Sequence, residues 1–178
     1  MKSGRSRTRT IGQNQTFDSM RAFVTRPGEF YWSVIEPYWL ALNDAWSEDA
    51  TTLLELFQTV PDKVRHLYSA HWCVSEVDNG GLYQFFHNTT GILAPESVAA
   101  FDAIGLEQCA IAVRDAMGFF GSPYPRSRLV RLDRLPEDEG KARPDWDLFE
   151  KQDDRFYACT SQEPNGWECA ADRYAAGA

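Results

Sequence analysis

Residues 77–91 read Val-Asp-Asn-Gly-Gly-Leu-Tyr-Gln-Phe-Phe-His-Asn-Thr-Thr-Gly, and this stretch interrupts a long helical pattern. Asn79, Gly80 and Gly81 break that pattern, because glycine tolerates the positive φ that an abrupt helix end requires. A short helix restarts at Leu82, with aromatic residues that belong in a core. The stretch therefore predicts two helices that meet at a sharp corner.

Helical periodicity continues on both sides of the corner, and no segment alternates apolar and polar residues for long. The predicted helices are 30–47, 50–60, 61–78, 82–88, 95–104, 106–120, 148–159 and 167–176. Residues 122–147 carry four prolines and mixed charge, and they predict no regular element. The fold class is therefore all-α, a compact multi-helix single domain of about seven or eight helices.

Charge divides the chain of 178 residues into an arm and a body. Residues 1–28 hold six basic side chains and one acidic one, and we expect a disordered basic arm there. Residues 29–178 form the predicted helical domain; within it, residues 29–113 hold twelve acidic side chains and two basic ones. The net charge of −8 argues against broad binding to nucleic acid. Solubility alone explains such a body, and attraction of a basic partner is the functional alternative.

Segments that direct a protein to a membrane or out of the cell are not evident. No apolar run reaches the roughly 18 to 20 residues of a membrane span. The basic N-terminus is followed by polar residues instead of the apolar region of a secretory signal. The four cysteines form no CxxC pair, which favours free thiols over disulfides. We therefore expect a cytoplasmic protein without membrane contact.

Catalytic candidates are few. His66, His71 and Glu76 follow one another at steps of five residues, so their side chains diverge on a helix and do not suit a metal. His71, Ser75 and Asp78 share a helix face and could orient a catalytic base, but a buried, hydrogen-bonded histidine has the same pattern. The sequence therefore predicts no enzyme, no cofactor and no metal.

The motif at the corner resembles the DNA-mimic-protein-like domain family, small acidic all-helical bacterial proteins. The matching residues are Asn79, Gly80, Gly81, Gln84, Phe85, Phe86, Asn88 and Gly91. Asp78 stands where the family often has a second Asn, and Leu82 stands where an aromatic residue is usual. The resemblance is strongest over residues 50–134, with a weaker echo at 153–157.

The polar members of the motif have two interpretations. Gln84 and Asn88 lie four residues apart, and the favoured interpretation is that they hydrogen-bond backbone groups freed at the corner. In the alternative, Gln84 and Asn88 line a small polar pocket together with Asp78.

The resemblance implies a decoy function, in which an acidic protein, in the family's case a dimer, occupies the DNA-binding face of a transcription regulator. Carboxylates then take the place of phosphates and meet the regulator's Arg and Lys side chains. The partner would be a basic protein and not nucleic acid, and a homodimer fits the resemblance. Candidate acidic residues for this face are Asp44, Glu48, Asp49, Glu55, Glu76, Asp78, Glu96, Asp102 and Glu107. Basic side chains at Arg126, Arg128 and Arg131 argue against mimicry over the whole surface.

Two other functions remain open on the sequence. One is a different protein-interaction module, of an immunity or adaptor type, whose complexes resist salt. The other is a small-ligand binder or enzyme that uses a polar pocket near Asp78, Gln84, Asn88 and His71. The first function predicts a salt-resistant complex, and the second predicts a concave site with perturbed titratable groups.

Overall fold

The computed structural model describes residues 26–46, 51–136, 148–162 and 166–177. These residues form eight α-helices, two short 3-10 helices and no strand, which confirms the all-α class. The α-helices are α1 (Glu29–Asp44), α2 (Thr51–Phe57), α3 (Asp62–His87), α4 (Ala94–Ile104), α5 (Glu107–Met117), α6 (Arg128–Arg134), α7 (Glu150–Gln162) and α8 (Trp167–Ala176). The 3-10 helices are Thr89–Leu93 and Gly118–Phe120. Over the described residues, none of the helices combines the length and apolar character that a membrane crossing requires.

Helix α3 is the centre of the fold. It packs against α1, α4, α6, α7 and α8, while α4 and α7 also pack against α5. Its side chains at Leu67, Ala70, Cys73 and Val77 are fully buried. A helix surrounded by neighbours must be apolar on more than one face, which is the pattern that the sequence of this segment has.

The sharp corner that the sequence predicts at Asn79, Gly80 and Gly81 is present within α3. Gly80 has φ −169° and ψ 30°, and Gly81 has φ 69° and ψ −177°, so neither residue is helical. Gly81 thus takes a positive φ that disfavours any residue with a Cβ. Beyond the corner, Phe85 and Phe86 are fully buried, and the Phe86 ring lies 4.8 Å from that of Phe120.

Helix α6 departs from the sequence prediction, which placed no regular element in residues 122–147. It is only seven residues long, too short for apolar periodicity to reveal it. Its fully buried Arg131 fixes it against the end of α3. The predicted basic arm at 1–28 lies outside the described residues, apart from residues 26–28.

Candidate functional site

A buried carboxylate organises the corner. Glu76 is 9% exposed and accepts hydrogen bonds from Gln84 Nε2, Asn88 Nδ2 and Thr90 Oγ1, each at 2.8 Å. These bonds tie both halves of α3 to the 3-10 helix that follows. The sequence favoured backbone partners for Gln84 and Asn88, but the structure gives them a side-chain partner instead. A buried carboxylate needs such donors, because burying an unpaired charge is costly.

These hydrogen bonds fix how the two amides point. A carboxylate only accepts, so the NH₂ groups of Gln84 and Asn88 face Glu76 and their oxygens face away. The oxygen Oε1 of Gln84 lies over Gly80, where it would overlap any Cβ built on that glycine. Gly80 is therefore needed for the space that the amide occupies.

A cleft of about 660 Å³ opens beside the corner. It is lined by Asp78, Asn79, Gly80, Gly81, Tyr83, Gln84, His87, Asn88, Asp153 and Tyr157. The sequence left open that Asp78, Gln84 and Asn88 line a pocket, and in the structure all three line this cleft. His71, which the sequence placed with this group, is not among the lining residues.

Helix α7 contributes the carboxylate of Asp153 to the lining of the cleft. Oδ1 of Asp153 accepts the backbone N–H of Leu82 at 2.8 Å, and burial raises the pKa of Asp153 to about 6. Burial also raises the pKa of Asp78 on the opposite half of the corner. Asp153 was not among the site residues predicted from the sequence, although the weaker family echo begins at this position.

His66 and His71, in the first half of α3, pack among side chains of other helices. The His71 ring packs edge-on against Trp39 at 5.3 Å, and its Nδ1 lies 3.2 Å from the Tyr31 hydroxyl. Burial lowers the pKa of His71, which favours the neutral ring. His66 is hydrogen-bonded to the Tyr174 hydroxyl at 2.6 Å. These contacts fit the interpretation of His71 as a hydrogen-bonded structural residue, although its side chain is only partly buried.

The acidic candidates occupy several different environments. Asp44, Glu55, Asp102 and Glu107 are exposed, Asp78 lines the cleft, and Glu76 is buried and unavailable to a partner. Glu48 and Asp49 lie outside the described residues. Two of the described candidates already have basic partners. Glu96 forms a bidentate ion pair with Arg126 at 2.5 and 2.8 Å, and Asp102 forms an ion pair with Arg114 at 2.8 Å.

The outer face of α1 carries an acidic stripe that the sequence analysis missed in part. Glu29, Glu36, Leu40 and Asp44 are all exposed and fall within about 80° of arc on an ideal helix. Leu40 is 76% exposed, a high value for a large apolar side chain. Glu29 and Glu36 were not among the candidates, but their spacing of seven residues would have placed them on one helix face. We call these four residues the α1 face.

The basic segment 114–132 presents less positive charge than its sequence suggests. Arg126 is neutralised by Glu96. Arg131 is fully buried and donates to the carbonyl oxygens of Phe86 at 3.0 Å and Asn88 at 2.9 Å. Arg126 and Arg131 therefore present little positive charge that would oppose an acidic interaction surface.

Comparison with known proteins places this fold in a family. A family model described as DMP19-like protein matches residues 58–176, which is about two thirds of the chain. The match begins at residue 58, within the strongest region of the resemblance at 50–134, and continues through α7 and α8, whereas α1 and α2 precede it. No curated protein and no solved structure matched the chain. The chain belongs to the DMP19-like protein family.

Proposed function

We propose that this chain is an acidic protein-interaction module whose α1 face occupies the DNA-binding surface of a basic regulator. Membership of the DMP19-like family supports a DNA-mimic role of this kind. The observation that carries the proposal is the α1 face itself, because it combines exposed carboxylates with an exposed apolar side chain.

The charge of the α1 face suits a basic partner. Helix α1 contains no Lys or Arg. Among the described residues, no basic side chain forms an ion pair with Glu36 or Asp44. Uncompensated carboxylates on one face focus a negative potential that attracts cationic surfaces.

The carboxylates of the α1 face are spread along the helix. Glu29 and Glu36 lie seven residues apart, which corresponds to about 10.5 Å along the helix axis. Arg and Lys side chains that meet separate phosphates of DNA would therefore find separate carboxylates here, with which they form charge-assisted hydrogen bonds.

Leu40 adds an exposed apolar side chain, which a protein interface needs and a DNA backbone lacks. It stands between Glu36 and Asp44, four residues from each, and projects a large apolar side chain into solvent. Interfaces between proteins gain most of their affinity from a desolvated centre within a polar rim. The arrangement thus favours a protein partner.

The proposal is tested by capturing partners from a lysate of the source cell and washing at about 0.1 M and then about 0.5 M salt. We expect a DNA-binding regulator that is lost at the higher salt and displaced by its own duplex DNA. A partner that resists salt and ignores DNA would favour an adaptor or immunity module instead.

A matched pair of variants locates the interface. Glu36→Lys with Asp44→Lys reverses two charges on the α1 face, and we expect capture of the regulator to be abolished. Glu150→Lys with Asp154→Lys makes the same change on exposed positions of α7 and serves as the control. Equal loss in both variants, or in neither, would contradict the assignment to α1.

A further inference from the structure

The cleft at the corner of α3 is a second feature that the α1 face does not explain. From its geometry we infer that it is a binding site for a guanidinium group. Three features of the cleft support this: the acceptors of its lining, its negative charge, and the two glycines that make room for those acceptors.

The lining of the cleft is rich in acceptors. The amide oxygens of Gln84 and Asn88 face away from Glu76, because their NH₂ groups are held by it, and that of Asn88 lies 3.5 Å from Nδ1 of His87. The hydroxyl of Tyr157 donates to the carbonyl of Val77 at 2.6 Å, which leaves its oxygen as an acceptor. A ligand that satisfies such a surface must bring donors.

The charge of the cleft is negative. Asp78 and Asp153 contribute carboxylates from α3 and α7, and none of the described lining residues is Lys or Arg. Burial raises the pKa of each, and within the described ranges no Lys or Arg forms an ion pair with either carboxylate. A cation bound between them would relieve the cost of that burial.

Gly80 and Gly81 leave the space into which two side chains of the cleft fit. A Cβ on Gly81 would lie 2.7 Å from Oδ2 of Asp153, and a Cβ on Gly80 would overlap Oε1 of Gln84. Two acceptors at the corner thus occupy space that only glycine leaves free. The motif residues therefore shape the cleft as well as the turn.

The aromatic side chains of the lining favour a planar cation over a compact one. Guanidinium carries five donors in a flat fork and stacks on aromatic rings, whereas an ammonium is a strongly hydrated point charge. Aromatic side chains at Tyr83, His87 and Tyr157 line the cleft beside the carboxylates. Such a guanidinium could come from a free small molecule or from an arginine side chain.

The test is a calorimetric titration of the full chain with butylguanidinium, and with butylurea as a neutral probe of the same shape. We expect saturable binding of butylguanidinium and at least tenfold weaker binding of butylurea. N-acetyl-arginine amide identifies the source: tighter binding than butylguanidinium assigns the site to an arginine side chain, and weaker binding assigns it to a free ligand. No saturation by either guanidinium probe below about 10 mM, or tighter binding of butylammonium, would overturn the proposal.

Variants connect the binding to the cleft. Asp153→Asn keeps an oxygen for the N–H of Leu82 but removes the charge, so we expect at least tenfold weaker binding in a folded protein. Asp78→Asn tests the other carboxylate of the cleft in the same way. Asp154→Asn removes an exposed charge one residue away and should change affinity less than threefold. Glu36→Lys on the α1 face should leave the affinity unchanged. Equal effects of Asp153→Asn and Asp154→Asn would show that the cleft does not contact the cation.

Discussion

The carboxylate of Asp153 occupies the space that a side chain on Gly81 would fill. A Cβ on Gly81 would lie 2.7 Å from Oδ2 of Asp153, while Oδ1 of the same residue accepts the N–H of Leu82. The corner of α3 and the start of α7 are thus fitted to each other through one glycine. This relationship joins the sequence motif to a residue about seventy positions away, and it makes the stability of the corner testable.

Three glycine-to-alanine variants separate backbone strain from steric overlap. Gly118→Ala should be neutral or stabilise by about 0.4–1 kcal/mol, because Gly118 has φ −56° and nothing within 4 Å of a Cβ. Gly105→Ala should cost about 1 kcal/mol or more, since its φ is 87° but the space is open. Gly81→Ala should cost the most, because it combines a positive φ with the overlap on Asp153. Chemical denaturation gives the order, and equal losses at Gly81 and Gly105 would contradict the overlap.

The buried carboxylate of Glu76 should be sensitive to a change of a single atom. Glu76→Gln replaces one carboxylate oxygen by an NH₂ group, which fits best toward Thr90, whose hydroxyl can accept. The hydrogen bonds from Gln84 and Asn88 then lose the charge of their acceptor, and the hydroxyl proton of Thr90 loses its partner. We expect the free energy of unfolding to fall by about 1–3 kcal/mol, because hydrogen bonds to charged groups are stronger than neutral ones and a buried donor is left unsatisfied. Glu55→Gln makes the same change at an exposed position and should stay within about 0.5 kcal/mol of the original. A loss no larger than that of the control would show that the network contributes little.

Much of the fold could be predicted from the sequence because its signals are local. The glycine pair at 80–81 and the apolar stripes of the longer helices depend only on neighbouring residues. The partners of Gln84 and the approach of Asp153 to Gly81 depend on distant contacts, which no periodicity encodes. Helix α6 was missed for the same reason, because Arg131 fixes it through carbonyl groups on another element.

The pKa of Asp153 predicts how stability depends on pH. Burial raises this pKa from 3.8 to about 6, Asp154 raises it further by repulsion, and the N–H of Leu82 opposes the shift. The folded state thus holds this proton more tightly than the unfolded state, so the contribution of Asp153 to stability is present below about pH 4 and is lost as the pH rises through about 6. Asp78, His87 and Tyr157 line the same cleft, and the pKa of Asp78 is raised in the same direction.

Asp153→Asn isolates this contribution. The variant should gain stability relative to the original chain as the pH rises from about 4.5 to about 7.5, because it has no carboxyl to ionise. Thermal melts at both pH values measure the change. Asp133→Asn, at an exposed position on α6, is the comparison variant. A difference between Asp153→Asn and the original chain that stays constant with pH would contradict the raised pKa.

The buried guanidinium of Arg131 should not tolerate replacement by lysine. Its Nε donates to Phe86 at 3.0 Å, its Nη2 to Asn88 at 2.9 Å and its Nη1 to Arg126 at 2.5 Å, each to a carbonyl oxygen. A lysine cannot reproduce this planar arrangement, so Arg131→Lys should lower the free energy of unfolding by at least about 2 kcal/mol. Arg128→Lys loses one bond, to the carbonyl of His87, and should cost less. Equal losses would contradict a special role for the buried position.

Leu40 provides the most direct test of the α1 face. At 76% exposure it contributes little to the core, so Leu40→Ser should change the free energy of unfolding by no more than about 0.5 kcal/mol. If it lies at the centre of an interface, however, its burial contributes about 1.5–3 kcal/mol, and the variant should bind the captured regulator at least about tenfold more weakly. Leu129→Ser makes the same change at a side chain that is 68% exposed on α6, and its binding should be unchanged. Equal affinities of the two variants would place the interface elsewhere, because an apolar centre on α1 predicts that only one of them loses binding.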